Sequence, residues 1–311
     1  MISSYRQWLQ DGRLYAILAA TGFSLKAVFV KLAYAAGAVD ALTLLTLRMG
    51  IALPLFGWLI WLSRDPEAAP LAPFDWLRVL LLGMVGYYLS SLFDFYGLEY
   101  ISAGLERLIL YLYPTLVVVF QAILSRKRPS SSIVQAMALC YFGLGIAFIH
   151  DVGVAQGDQV FKGAAWVFAS AVTYAFYYLG TGAMTQRLGS MRLAGLAGAA
   201  SSLLVIIHYL LADVPTRLNA LPADVWGHAA LMAVLSTVLP VYWLALAIQK
   251  MGASQAAAIG SLGPVLTVLA SWLLLAEPIS AYQLGGLALV MFGVSRLKPA
   301  ATKAPNTDPQ S

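Results

Sequence analysis

Residues 98–124 read LEYISAGLERLILYLYPTLVVVFQAIL, and residues 248–274 read IQKMGASQAAAIGSLGPVLTVLASWLL. Laid over each other at a constant offset of 150 residues, they bring Ala103 onto Ala253, Leu112 onto Leu262, Pro114 onto Pro264 and Val118 onto Val268. Apolar helices match one another by chance, so the single identities carry little. A shared register with proline in the middle carries more. It pairs two apolar segments at the same place in two halves of the chain, and so fixes how many helices each half holds.

Crossing roughly 30 Å of hydrocarbon takes about 20 apolar residues. Segments of that length, separated by charge or turn residues, are predicted over 14–35, 39–62, 77–98, 101–124, 131–150, 163–184, 192–212, 226–248, 253–275 and 280–296. The offset lays the fourth over the ninth, which gives two five-helix repeats, 14–150 and 163–296, followed by a polar cytoplasmic tail over 299–311 expected to be disordered. An odd number of spans per half makes the second half enter the membrane in the opposite sense. The expected fold is an all-α integral membrane protein of ten transmembrane helices in two inverted five-helix repeats. Secondary transporters use such repeats, with substrate near the midplane and the halves rocking to give alternating access.

Composition agrees with a lipid solvent. Of 311 residues, 60% are hydrophobic and 11% charged, too few charges for the mixed surface of soluble domains. The net charge of +5 does not indicate nucleic acid, because the basic residues are scattered between apolar segments and line no aromatic-studded groove. They sort by loop instead. Arg64, Arg78, Arg126, Lys127, Arg128, Arg187, Arg192, Lys250 and Arg296 fall on one side, and Lys162 and Arg217 on the other with Asp151, Asp158, Asp213 and Asp224. The positive-inside rule then places both termini in the cytoplasm. The polar start MISSYRQWLQDGR and the long first apolar segment predict a retained first helix and no cleaved signal. Cys140, the sole cysteine, allows no intrachain disulfide.

Lys26, Lys31, Arg48, Asp94, Glu106 and Arg107 fall within or near the ends of the expected spans. Charges are costly in hydrocarbon, so these should face a wet cavity or one another. At 1.5 Å per residue, Lys26 and Arg48 come roughly 13 Å below the outer boundary, the depth of a central site. Lys31, Asp94 and Glu106 come roughly 6 to 8 Å below it, where they would form an outer gate with Lys31 facing either carboxylate. Glu106 and Arg107 point about 100° apart on one helix and should need separate partners. Together the six groups sum to +2, which favours an anionic or zwitterionic small molecule over a simple cation. Asp94 and Glu106 are also the candidates for proton coupling, with static pairing to nearby bases as the alternative.

The second half holds Tyr174, Tyr177, Tyr178, Tyr242, Trp243, Gln249 and Gln255, suited to an aromatic and hydrogen-bonding wall opposite the charges. The candidate substrate-binding set is therefore Lys26, Arg48, Glu106, Tyr113, Tyr177, Trp243 and Gln255. Lys31, Asp94, Glu106, Arg107, Pro114 and Pro264 form the gating or coupling set, the prolines because each removes a backbone donor and disturbs the preceding turn. His208, near the outer end of helix seven, is either a proton-responsive group or an interfacial histidine. No phosphate loop, no HExxH or compact metal-ligand spacing and no serine–histidine arrangement stands in the sequence. No cofactor or metal is expected, and transport fits better than catalysis.

The chain resembles the bacterial drug/metabolite transporter superfamily, specifically proteins with two EamA-type domains. The resemblance covers nearly everything from Leu14 to Arg296. It rests on Tyr100-Ile101-Ser102-Ala103-Gly104-Leu105 followed by Tyr113-Pro114, on Ala253-Ser254-Gln255-Ala256-Ala257-Ala258 followed by Gly263-Pro264, and on Leu274-Leu275-Ala276-Glu277-Pro278-Ile279. It implies ten helices in an inverted five-plus-five arrangement in the bacterial inner membrane, and export of amino acids or other metabolites. The first-half position matching Glu277 is Lys127, a departure from the acidic residue such proteins often carry. The resulting expectation is a secondary exporter of a small polar metabolite such as an amino acid. A membrane-embedded ligand sensor or scaffold is the alternative. Oligomeric state stays open, since a ten-helix bundle can work alone.

Overall fold

The computed structural model describes residues 12–65, 70–154, 157–213 and 218–296; the tail expected over 299–311 lies outside them. The described residues are helical throughout, with no strand among them. Seven helical stretches of 19 to 29 residues are long and apolar enough to cross a membrane. They are Gly12–Ala36, Ala41–Leu62, Pro73–Leu98, Ala103–Ser125, Ser131–Ile149, Ser190–Leu211 and Ala223–Met251. Gly157–Leu188, the pair Ala253–Gly260 and Gly263–Leu275, and Ala281–Arg296 stand at the remaining three places where the sequence predicts spans.

Several stretches are interrupted, so the elements are labelled α1 (Gly12–Ser24), α2 (Lys26–Ala36), α3 (Ala41–Leu62), α4 (Pro73–Gly83), α5 (Ser90–Leu98), α6 (Ala103–Leu110), α7 (Tyr113–Ser125) and α8 (Ser131–Val154). The second half holds α9 (Gly157–Leu188), α10 (Ser190–Leu211), α11 (Ala223–Ala233), α12 (Leu239–Met251), α13 (Ala253–Gly260), α14 (Gly263–Leu275) and α15 (Ala281–Arg296). Wide π-helical turns, Met84–Leu89 and Val234–Val238, join α4 to α5 and α11 to α12.

The offset of 150 read from the sequence recurs in the backbone. It carries both ends of α4 onto α11, of α6 onto α13 and of α7 onto α14, and the first residue of one π turn onto that of the other. The left-handed residues that close α7 and α14, Arg126 (φ 53°) and Ala276 (φ 52°), obey it too. Pro114 and Pro264 do more than kink a helix. Each stands in the first turn of a new helix, where its missing N–H is no loss, and the preceding helix ends just before it.

The halves also meet through equivalent positions. Cys140 Sγ donates to Val290 O at 3.6 Å, and these two residues are themselves 150 apart. A Cβ at Gly143 would fall 2.7 Å from Gly286 O, and a Cβ at Gly293 would fall 2.7 Å from Ala136 O, the same relation with the halves exchanged. A local two-fold relation therefore passes between α8 and α15, and only glycine permits backbones this close. The largest core straddles both halves, with Val30, Leu44, Phe56 and Phe95 packed with Met232, Ala233 and Val238. Outer faces expose Leu124, Leu210 and Leu211 by three quarters or so, as a bilayer requires.

Candidate functional site

The first span is interrupted at Leu25, and that interruption is the foundation of the site. Leu25 N–H bonds to both Thr21 O and Gly22 O, so the ladder loses its regular register there. Freed carbonyls inside a membrane need donors. Arg107 Nη2 donates to Phe23 O at 3.1 Å, Thr267 Oγ1 donates to Ser24 O at 3.1 Å, and Ser24 Oγ donates across to Gly263 O at 2.9 Å. The break is thus bound to α6 of the first half and to α14 of the second, beside Pro264.

Lys26, the first residue of α2, points into a buried ionic cluster. Its Nζ lies 2.7 Å from Asp94 Oδ2 on α5 and 4.0 Å from Glu106 Oε1 on α6. The two carboxyl groups stand side by side, wholly buried, and Glu106 Oε2 is 3.7 Å from Arg107 Nε. This corrects two expectations. The partner of the acids is Lys26 and not Lys31, because a lysine stem reaches several ångströms along the membrane normal and a depth ruler applied to Cα atoms ignores it. Glu106 and Arg107, expected to need separate partners, do meet, since long side chains bend over the 100° between them. Lys31 Nζ instead donates to Leu98 O and Ile101 O, at 3.2 and 3.1 Å, and holds the turn between α5 and α6.

Lys26, Asp94, Glu106 and Arg107 cancel in formal charge. Arg48, on α3, does not share in that cancellation. It is 4% exposed, and among the described residues no carboxylate lies within 4.0 Å of it. Its Nε donates to Thr237 Oγ1 at 2.9 Å, its Nη1 to Ser91 Oγ at 3.3 Å, and its guanidinium lies over the Phe95 ring. Thr237 belongs to the π turn of the second half, and Ser91 follows that of the first. A buried guanidinium is thus held by neutral hydroxyls at the seam between the halves. Neither Ser91 nor Thr237 stood among the expected residues; hydroxyls in apolar runs are too common in membrane helices to single out.

The second half carries apolar residues at the positions equivalent to the charged cluster. At the offset of 150, Lys26 corresponds to Phe176, Asp94 to Leu244, Glu106 to Ala256 and Arg107 to Ala257. Tyr113 packs edge-on against Tyr174, and Tyr174 stacks on Tyr177, which meets Tyr87 in the first π turn. The expected pair Tyr113 and Tyr177 therefore lies in one aromatic group. Trp243 is half-buried on α12, while Gln255 is exposed on α13. His208 is not solitary, for its Nδ1 lies 2.8 Å from Tyr88 Oη. Glu277 has a definite place: its Oε1 accepts from Ala103 N–H at 3.1 Å and so caps α6 from the other half. Lys127 cannot provide the equivalent cap, because an ammonium is a donor only.

The model of the EamA-like transporter family matches residues 11–149 and again 161–297. The uncharacterized transporter YcbK of Bacillus subtilis (strain 168) is 32% identical over 293 residues, 92% of either chain. An uncharacterized transporter of Archaeoglobus fulgidus is 25% identical over 268 residues, 86% of this chain and 91% of its own. A solved crystal structure superposes on 92% of this chain and 95% of its own with a TM-score of 0.62 at 18% identity, a likeness of fold.

Proposed function

The chain belongs to the EamA-like transporter family of membrane transporters, and from that premise we propose that it is a secondary active exporter of a small polar metabolite, anionic or zwitterionic, working by alternating access. The observation that carries this reading is Arg48. A cation buried at the seam between two halves, with hydroxyls for company and, among the described residues, no carboxylate in contact, is a site completed by an anionic group such as an amino-acid carboxylate. Thr237 and Ser91 sit on opposite halves, so a ligand at Arg48 touches both, and rocking of the halves changes which face of the membrane it sees. Lys26 enters the site only when its carboxylates release it. Protonation of Asp94 or Glu106 loosens that hold and supplies a route to proton coupling.

In this reading ten helices form two inverted repeats over 14–150 and 163–296, in the bacterial inner membrane with both termini cytoplasmic. Lys31 and Glu277 close the outer side by fixing the turn before α6. The two breaks before Pro114 and Pro264 serve as hinges. The chain performs no chemistry on its substrate and needs no cofactor.

The test is uptake of a mixed labelled metabolite panel by purified protein in sealed vesicles, with and without an imposed proton gradient. Saturable accumulation of carboxylate-bearing compounds supports the proposal. Binding without flux, in folded protein present in both orientations, would replace it with the sensor or scaffold reading.

A further inference from the structure

One face of α3 carries Gly57, Ile60 and Trp61, spaced as neighbours along a helix, and Arg64 follows two residues past its end. With Arg192 in the first turn of α10, these residues line a cavity of about 340 Å³. The upper part is apolar and faces outward. Trp61 is 69% exposed, and a Cβ at Gly57 would meet no atom within 4 Å, so the helix surface is hollow there. The lower part is cationic. Arg64 lies just past the end of an apolar span and Arg192 just inside the start of another, both at the level where a bilayer holds its headgroups. Among the described residues neither guanidinium has a carboxylate within 4.0 Å, whereas nearby Arg187 is neutralised by Asp75 at 2.6 Å.

We propose that this groove is a binding site for one anionic phospholipid, its phosphate between Arg64 and Arg192 and an acyl chain along Gly57, Ile60 and Trp61. Two arginines with no carboxylate in contact among the described residues suit an anion, and the outward-facing apolar surface above them suits a chain attached to it. A free phosphate would satisfy the first requirement and leave the second unmet. Basic pockets at the ends of transmembrane helices recognise lipid headgroups in this way. The site is separate from the buried cluster and does not depend on the substrate.

The experiment uses the full chain in neutral detergent, titrated with phosphatidylglycerol or phosphatidylcholine whose acyl chains carry bromine, a short-range quencher of tryptophan. Each arginine at headgroup level is worth roughly fivefold in affinity, so the expected preference for phosphatidylglycerol is roughly 25-fold. Arg64→Gln with Arg192→Gln should abolish the preference. Trp61→Phe should lower the bromine-dependent quenching by the share of Trp61, the most exposed of the described tryptophans on the apolar surface, while leaving the preference intact. Gly57→Leu, which fills the hollow without touching a charge, should weaken phosphatidylglycerol binding and serves should the arginine variants misfold. Equal binding of the two lipids by wild type, quenching unchanged in Trp61→Phe, or displacement of the brominated lipid by millimolar inorganic phosphate would overturn the proposal.

Discussion

Replacing Lys26 with methionine keeps the length and apolar stem of the side chain and removes only its charge. The result follows from the distances around it. At an effective dielectric constant of about 20, unit charges 2.7 Å apart attract by about 6 kcal/mol, and those 4.0 Å apart by about 4 kcal/mol. Lys26→Met forfeits both attractions and leaves two buried carboxyl groups side by side with Arg107 as the remaining contact cation. The full Coulomb loss is not felt, because an orphaned carboxylate takes up a proton instead of staying charged. Breaking a buried pair typically costs about 3–5 kcal/mol, and that is the loss expected here. Removing the pair together is different. Lys26→Met combined with Asp94→Asn leaves Glu106 facing Arg107 at 3.7 Å, a neutral pair, and should stand within about 1 kcal/mol of wild type. Unfolding in mixed micelles of increasing sodium dodecyl sulfate, followed by tryptophan fluorescence, measures all four corners of this cycle. A loss below about 1 kcal/mol for Lys26→Met, or a double variant as unstable as the sum of its singles, would refute the cluster as an energetic unit.

Gly293→Leu should destabilise by about 1–3 kcal/mol in the same unfolding assay, because its Cβ already meets Ala136 O and Cys140, while Gly145→Ala, whose Cβ meets nothing within 4 Å, should be silent. Thr237→Val removes the acceptor of Arg48 Nε; a hydrogen bond to a charged group is worth about 1.5–3 kcal/mol, so apparent substrate affinity should fall by roughly tenfold or more in vesicle uptake. Glu277→Ala strips the cap from α6 and should cost about 1 kcal/mol in unfolding, with Glu277→Gln retaining most of the stability through its amide oxygen.

The repeat was legible because proline and small residues leave a register that drift in apolar composition does not erase. Reading one offset from two prolines located equivalent ends of α6, α7, α13 and α14 and the matched left-handed closures at Arg126 and Ala276. The π turns at Met84 and Val234 left no such mark, since neither contains a proline to announce it. The interruption at Leu25 was equally invisible: neither proline nor glycine occupies that position, and its carbonyls are held by residues more than 80 positions away. Among the candidate site residues, the six intramembrane charges were found by their cost in lipid alone. Who pairs with whom was not, because side chains as long as Lys26 and Arg107 cover more distance than separates the alternatives. Gln255, singled out as a polar residue on an apolar helix, is exposed on α13.

The account stands or falls on two halves that enter the membrane in opposite senses around a shared charged seam. Arg128 and Pro278 occupy equivalent, exposed positions 150 residues apart. With the single native cysteine removed as Cys140→Ala, Arg128→Cys and Pro278→Cys provide one thiol each for a membrane-impermeant maleimide. In intact cells Pro278→Cys should react and Arg128→Cys should not, and in inside-out vesicles the pattern should reverse. Labelling of both positions from the same side would contradict the inverted repeat, and with it the route by which a ligand at Arg48 is passed across the membrane.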